Sequence, residues 1–293
     1  MFQAGVRSLC VRPVRLVYIL AVMPARYPER IVCLTEETTE TLYLLGEERR
    51  IVGISGYTVR PPRARREKPR VSAFLSAKTG KILELEPDLV LGFSDLQADI
   101  SKDLVKAGLN VVIFNQRSVA EILNMILVLS SMVGATEKGL KLLKRLEGNI
   151  LEIEEAAKSF PRKPKVYFEE WDEPMISGIR WVSELVGIAG GEDVFSELSL
   201  SHAASGRTIA DPGEVVRRRP DVIIGSWCGK KFRPERVAAR PGWDAIPAVR
   251  DGELHEIKSS EILQPGPAAL TDGVKQIHEI LKASLARTPQ QGA

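Results

Sequence analysis

Two stretches of this chain, residues 81–92 and 213–225, follow one plan. Each has an amphipathic helical segment, a Pro-Asp stop (Pro87-Asp88, Pro220-Asp221), an apolar run (Leu89-Val90-Leu91, Val222-Ile223-Ile224) and a closing glycine, Gly92 or Gly225. Proline drives the residue before it out of the helical region, so the helix ends there and the chain leaves extended. A short, continuous apolar run after such a stop reads as a buried strand, and strands alternating with helices pack as a parallel sheet covered on its faces. The repetition predicts two α/β lobes. Each glycine then marks the carboxyl end of a strand, where open α/β sheets take their ligands, so the cleft between the lobes is the expected site.

The rest of the pattern fits this plan. Strands are expected at 31–34, 51–54, 88–92 and 110–114, with helices at 37–45, 79–85 and 96–107 between them. From 119 to 160 the helical pattern is broken only at Gly134; Thr136 is read as the cap of a run that Pro161 and Pro164 close. A second lobe follows, with strands at 166–169, 221–225 and 254–257 and helices at 183–189, 212–219 and 267–286. The expected organisation is an extension at 1–29, an amino-terminal lobe at 30–134, a bridging helix at 135–161 and a carboxyl-terminal lobe at 162–293.

Composition removes several classes. In 293 residues, 41 Lys+Arg against 38 Asp+Glu leave a net charge of +3, too small a surplus to mark a nucleic-acid binder. The basic stretches at 60–70 and 217–219 read as solvated loop and helix faces. Cys10, Cys33 and Cys228 form no C-x-x-C pair, so neither a zinc knuckle nor a redox couple can be written. No apolar run approaches the roughly 20 residues of a membrane helix. Arg7, Arg12 and Arg15 ahead of the apolar residues 16–22 imitate an export signal, but small residues do not occupy both cleavage positions. Translation is therefore read as starting at Met1 or Met23, and the chain is expected in the cytoplasm, with the periplasm or cell surface as the alternative.

Several motifs in order carry a resemblance. Arg30-Ile31-Val32-Cys33-Leu34-Thr35, Leu44-Leu45-Gly46, Ile51-Val52-Gly53-Ile54-Ser55-Gly56-Tyr57, Pro61-Pro62 and Glu86-Pro87-Asp88-Leu89-Val90 resemble the amino lobe of ABC-type solute-binding proteins for cobalamin and iron chelates. Gly190-Gly191-Glu192-Asp193-Val194-Phe195 and Arg219-Pro220-Asp221-Val222-Ile223-Ile224 are similar to their carboxyl lobe. The likeness spans about residues 30–285. It implies two α/β lobes with parallel sheets, bridged by a single long helix, and a ligand cleft that closes little. Tyr57 with Pro61-Pro62, and the stretch from Glu169 to Trp181, look most like the cobalamin-binding branch.

That resemblance implies a non-enzymatic protein that binds a corrinoid as ligand and holds no resident cofactor or metal. A flat macrocycle edged with amides needs apolar walls and hydrogen-bonding partners at its rim. The candidate ligand residues are Tyr57, Phe74, Phe93, Trp171, Trp181, Trp227, Cys228 and Gln264. For Phe74 and Phe93 a packing role is an equal reading, Gln264 would add rim contacts, and Trp243 is read as a structural anchor. An iron siderophore or haem is the alternative ligand, and Arg180 and Arg207 would then face its anionic groups. A metal-dependent redox enzyme using Cys228 and His202 is a further alternative. His255 reads as packed or functional, and His278 as a surface residue. Carried over from the resemblance, the positions that would dock an ABC permease fall at Gly80 and Gly213, neither acidic. Glu214 is adjacent to Gly213, whereas Lys81 beside Gly80 has the wrong sign for such an interface. Docking is therefore expected to be impaired, and the protein to be a monomer.

Overall fold

The structure, a computed structural model, describes residues 27–287. In the first lobe β1 (Ile31–Cys33), β2 (Ile51–Ser55), β3 (Arg70–Ser72), β4 (Leu89–Phe93) and β5 (Val111–Phe114) form an all-parallel sheet in the order β3-β2-β1-β4-β5. β1 and β4 lie at its centre with every residue buried, as expected of strands covered on both faces. In the second lobe β6 (Lys165–Asp172), β9 (Val222–Gly225) and β10 (Leu254–Glu256) run parallel, β7 (Met175–Ser177) pairs antiparallel with β6, and the short β8 (Glu192–Asp193) pairs parallel with it. The glycine of the repeated device has a steric reason in both lobes. A Cβ on Gly92 would stand 2.6 Å from Gln97 Oε1, and one on Gly225 would stand 1.9 Å from the ring of Phe232. In each case a side chain beyond the strand folds back over its end.

Two helices, Val119–Met132 and Thr136–Ala157, carry the chain from one lobe to the other. Ser118 opens the first with a capping box, its hydroxyl accepting the Glu121 amide while Glu121 returns a carboxylate to the Ser118 amide. Thr136 is not the cap of the second. Its hydroxyl donates to Ser131 Oγ at 3.2 Å, and Ala135 occupies the cap position without a side-chain bond. One apolar cluster passes through both lobes, from Ile31 and Leu91 by way of Leu129, Leu146 and Ile153 to Phe168 and Leu281. The bridge is thus part of the core.

Three strands depart from the sequence reading: the two-residue β8 beside β6, and also β3 and β7. β3 sits at the end of the stretch read as a solvated basic face, and β7 returns beside β6 where no strand is expected. β3 and β7 are three-residue edge strands, each with a single hydrogen-bonded neighbour in its sheet, and neither has the apolar run that betrays a central strand. No helix of the described residues is long and apolar enough to cross a membrane. Residues 16–22 lie outside the described part.

Candidate functional site

The loops that leave the carboxyl ends of the parallel strands meet across the seam between the lobes. Gln116 Nε2 donates to the Pro265 carbonyl at 3.0 Å, the Ala268 amide donates to Glu40 Oε2 at 3.0 Å, and the Val119 amide donates to Glu184 Oε2 at 2.7 Å. Arg60 spans the seam by pairing with Glu40 on its own lobe and Asp272 on the other. At its floor the rings of Phe93 and Trp181 meet edge to face, centroids 6.5 Å apart.

These contacts sort the aromatic candidates into two groups. Tyr57 is 60% exposed on the loop after β2, and Phe74 is partly buried after β3. Leu75 and Leu96, which follow β3 and β4, are also exposed, and Gln97 Nε2 ties the two segments by donating to the Phe74 carbonyl at 2.9 Å; the sequence reading missed both leucines. Trp171, at the end of β6, is half-buried, with its indole N–H donating to the Glu173 carbonyl at 2.8 Å and Lys230 Nζ 4.1 Å from its ring centroid. Gln264 is half-buried, and its carbonyl accepts the Gly266 amide at 2.8 Å.

Trp181, Trp227 and Phe93 are core residues rather than open cleft walls. Trp181 is 2% exposed because the second-lobe helix Arg180–Ile188 begins inside the seam and its indole N–H is used by the Ile262 carbonyl at 2.9 Å. Phe93 closes β4 at 6% exposure beneath the Arg117 guanidinium, 5.0 Å from its ring centroid. Trp227 does leave a strand end, as expected, but turns inward to meet Phe232 edge to face, centroids 5.1 Å apart, and to donate to Glu169 Oε1 at 3.0 Å. Cys228 beside it is exposed.

The polar part of the site is a pair of arginines: Arg207, expected for an anionic ligand, and Arg117, which the sequence reading does not name. Arg207 is 2% exposed and bidentate to Glu170, with a further bond to the Ser177 carbonyl at 2.6 Å. Arg117 comes from the other lobe, directly after the strand-end residues Asn115 and Gln116; it is 7% exposed and donates to Asp95 and Asn115. The Nε of each guanidinium is buried without a partner. Burial lowers the Arg117 pKa, Asp95 acts to raise it, and the like charge of Arg207 lowers it again. A strand-end rule applied to β5 would have found Arg117. Arg180 instead pairs along its own helix with Glu184.

The remaining candidates fall elsewhere. Partial desolvation by the surrounding protein and nearby Glu170 raise the Cys228 thiol although the residue is exposed, the reverse of what activates a cysteine nucleophile. His202 is exposed on its loop, and His255 faces Glu253 at 2.8 Å. His278 is not a surface residue: it is 6% exposed, stacked on Phe160 with its Nδ1 3.1 Å from the Ala189 carbonyl. Trp243 is fully buried. Among the described residues no group of three or more His, Cys, Asp or Glu is placed to hold a metal. Gly80 and Lys81 are exposed on the helix Thr79–Glu84; Gly213 opens the helix Gly213–Arg218, where Glu214 is held by Arg217 and Arg218.

Comparison with known proteins agrees with this architecture. The family model described as periplasmic binding protein matches residues 31–261. A substrate-binding lipoprotein of an uncharacterized ABC transporter in Bacillus subtilis is 25% identical over 266 residues, covering 86% of this chain and 79% of its own length. Among solved structures, a possible iron-binding periplasmic solute-binding protein of Staphylococcus epidermidis superimposes with a TM-score of 0.75 at 20% identity, covering 87% of this chain and 99% of that one. The periplasmic vitamin B12 binding protein BtuF of Vibrio cholerae gives 0.70 at 23% identity, covering 89% and 99%. These findings overturn the cytoplasmic expectation, since the matching family model is periplasmic and the Bacillus relative is a lipoprotein; they point to the periplasm or cell surface.

Proposed function

Since this chain belongs to the periplasmic binding protein family, matched over residues 31–261, we propose that the cleft between its lobes binds a cobalamin-type corrinoid for an ABC importer. Members of the family are solute-binding proteins rather than enzymes. The observation that supports the corrinoid reading is that Tyr57, Phe74, Leu75 and Leu96, all beyond strand ends of one lobe, and Trp171 and Gln264 on the other are left exposed or only half-buried. A broad, flat ligand buries apolar area against such side chains at about 25 cal/mol per Å². Its peripheral amides take hydrogen bonds from groups such as Gln264.

A second reading has its own observation. Arg117 and Arg207 bring two positive charges from opposite lobes toward one seam, each with a buried donor unused. Like charges placed so favour an anion between them, and an iron chelate or haem carries carboxylates or phenolates of the right chemistry. The test is common to both readings. Purified protein is equilibrated separately with cobalamin, haem and a ferric catecholate, desalted, and scanned for retained chromophore. Retention of cobalamin alone supports the first reading; retention of an anionic chelate that Arg207→Met abolishes supports the second. Retention of none removes both. Docking to a permease is part of the proposal, with Glu214 as the acid nearest the expected position on the second lobe; a pull-down on a reconstituted importer, with Glu214→Ala as the comparison, tests it. Sedimentation of the ligand-free chain tests the proposed monomer.

A further inference from the structure

The helix Glu36–Leu44 opens with carboxylates that the ligand reading does not use. Glu36, Glu37 and Glu40 are all less than a tenth exposed. Glu36 Oε2 accepts the Val59 amide at 3.1 Å, Glu37 Oε1 accepts the Thr35 hydroxyl at 2.5 Å, and Glu40 receives Arg60 Nε at 2.9 Å and the Ala268 amide at 3.0 Å. Glu36 Oε1, Glu37 Oε2 and the nearby Thr58 Oγ1 are buried with no partner. Across the seam, Gly266 is seated directly on Glu37: a Cβ there would stand 2.5 Å from Glu37 Cβ. The second lobe therefore rests on an acidic patch.

We infer that this contact is a proton-operated clasp: the segment 263–268 seats on the first helix while Glu36 and Glu37 are neutral and is pushed off when they ionise. The charge count around the patch supports this. Facing it are Arg60, shared by Glu40 and Asp272, and the Cys33 thiol, which lies near Lys68; residues 263–268 carry no charge. Ionising both acids adds two buried negative charges beside Glu40, with Arg60 already committed to two carboxylates. Burial, which outweighs the Val59 and Thr35 bonds, pushes Glu36 up to about 8 and Glu37 up to about 7, so the change falls in an accessible range.

The clasp bears on the ligand because its two halves carry candidate ligand residues. Tyr57 stands two residues before Val59 on one side, and Gln264 two residues before Gly266 on the other. Loosening the clasp separates them, so ligand is held more firmly in mildly acidic than in alkaline medium. This last step rests on the proposed ligand site; the clasp itself does not.

The test uses the ligand-free chain. Amide hydrogen exchange over residues 263–270, corrected for intrinsic base catalysis, is followed from about pH 6 to about pH 9, with the helix Thr136–Ala157 as internal reference. Wild-type protection of 263–270 is expected to fall roughly tenfold with rising pH while the reference holds, and Glu36→Gln/Glu37→Gln is expected to remove the fall. Glu37→Gln alone serves if the double variant does not fold. Constant wild-type protection, or an equal fall in the variant, overturns the clasp whatever ligand the cleft binds.

Discussion

The indole N–H of Trp227 donates to Glu169 Oε1 at 3.0 Å, and that bond settles which way the residue after β9 faces. Glu169 is fully buried; it also accepts the Tyr167 hydroxyl at 2.9 Å and is gripped in bidentate fashion by Arg240. The carboxylate has every lone-pair direction engaged, and Trp227 is one of its ligands. A side chain whose polar atom is so committed has its apolar body fixed as well, here against Phe232.

Glu169→Gln is therefore expected to destabilise the second lobe strongly. It leaves the Arg240 guanidinium without its counter-charge, a loss of about 3 to 5 kcal/mol for a buried pair broken on one side. Trp227→Phe keeps most of the packing and loses one hydrogen bond, so ~1 to 3 kcal/mol is expected. Urea unfolding of both variants checks the order. Retention of cobalamin by folded Trp227→Phe should match that of the parent.

Tyr57 and Trp181 are expected to separate binding from stability. Tyr57 is mostly solvent-exposed, so Tyr57→Ala should leave the unfolding midpoint in place and weaken ligand binding by roughly 1 to 3 kcal/mol. Trp181→Ala removes a buried ring from the contact with Phe93 and frees the Ile262 carbonyl, a loss of about 3 to 5 kcal/mol in stability. Equal stability of the two variants in thermal melts would contradict this placement.

What could be read from the sequence follows from which features are local. The Pro-Asp stops and the apolar runs of β4 and β9 fix those strands without tertiary help, and with them the two lobes. β3 has one buried residue, Val71, between exposed Arg70 and half-buried Ser72, so no periodicity announces it. The site was legible to the level of strand ends. Which way a strand-end side chain turns was not: successive residues of β6 face opposite sides, with Tyr167 and Phe168 in different apolar clusters, and Glu169 reaches Trp227 only because of that parity and of Arg240 far along the chain. Arg117 was overlooked for the complementary reason, that a search for aromatic walls passes over a basic residue at a strand end.

The lobes are expected to move little on binding. Besides the helix Thr136–Ala157, the seam is tied by Glu184 on the Val119 amide, Gln116 on Pro265, Glu40 on the Ala268 amide and Arg60 on Asp272. Hinge motion needs a few chain positions that absorb the rotation, and here the core itself is continuous across the bridge. Small-angle scattering with and without saturating ligand should give the same radius of gyration within error. A pronounced compaction would mean that these ties are broken in the free protein.

Global stability should fall as pH rises from mildly acidic to mildly alkaline. Glu36 and Glu37 titrate near 4.5 in an unfolded chain, but burial raises them to about 8 and about 7 in the folded one. Between those values the native state holds more protons than the unfolded state, so each rise in pH favours unfolding. Their contribution is fully present below about pH 4.5 and is lost as pH passes through about 7 and then about 8. Carboxylates of the opposite kind limit the acid side. Asp172, buried but beside Lys230, and Glu121, which accepts the Arg117 and Ser118 amides, are held below their ordinary values, and the stability they supply disappears as they take up protons. The curve should peak near pH 5, with several kcal/mol less stability at about pH 9. Glu36→Gln/Glu37→Gln cannot ionise at either position and should flatten the alkaline limb while leaving the acid limb unchanged. Urea midpoints measured at half-unit steps for the two proteins decide it, and parallel alkaline limbs would show that the decline comes from other groups.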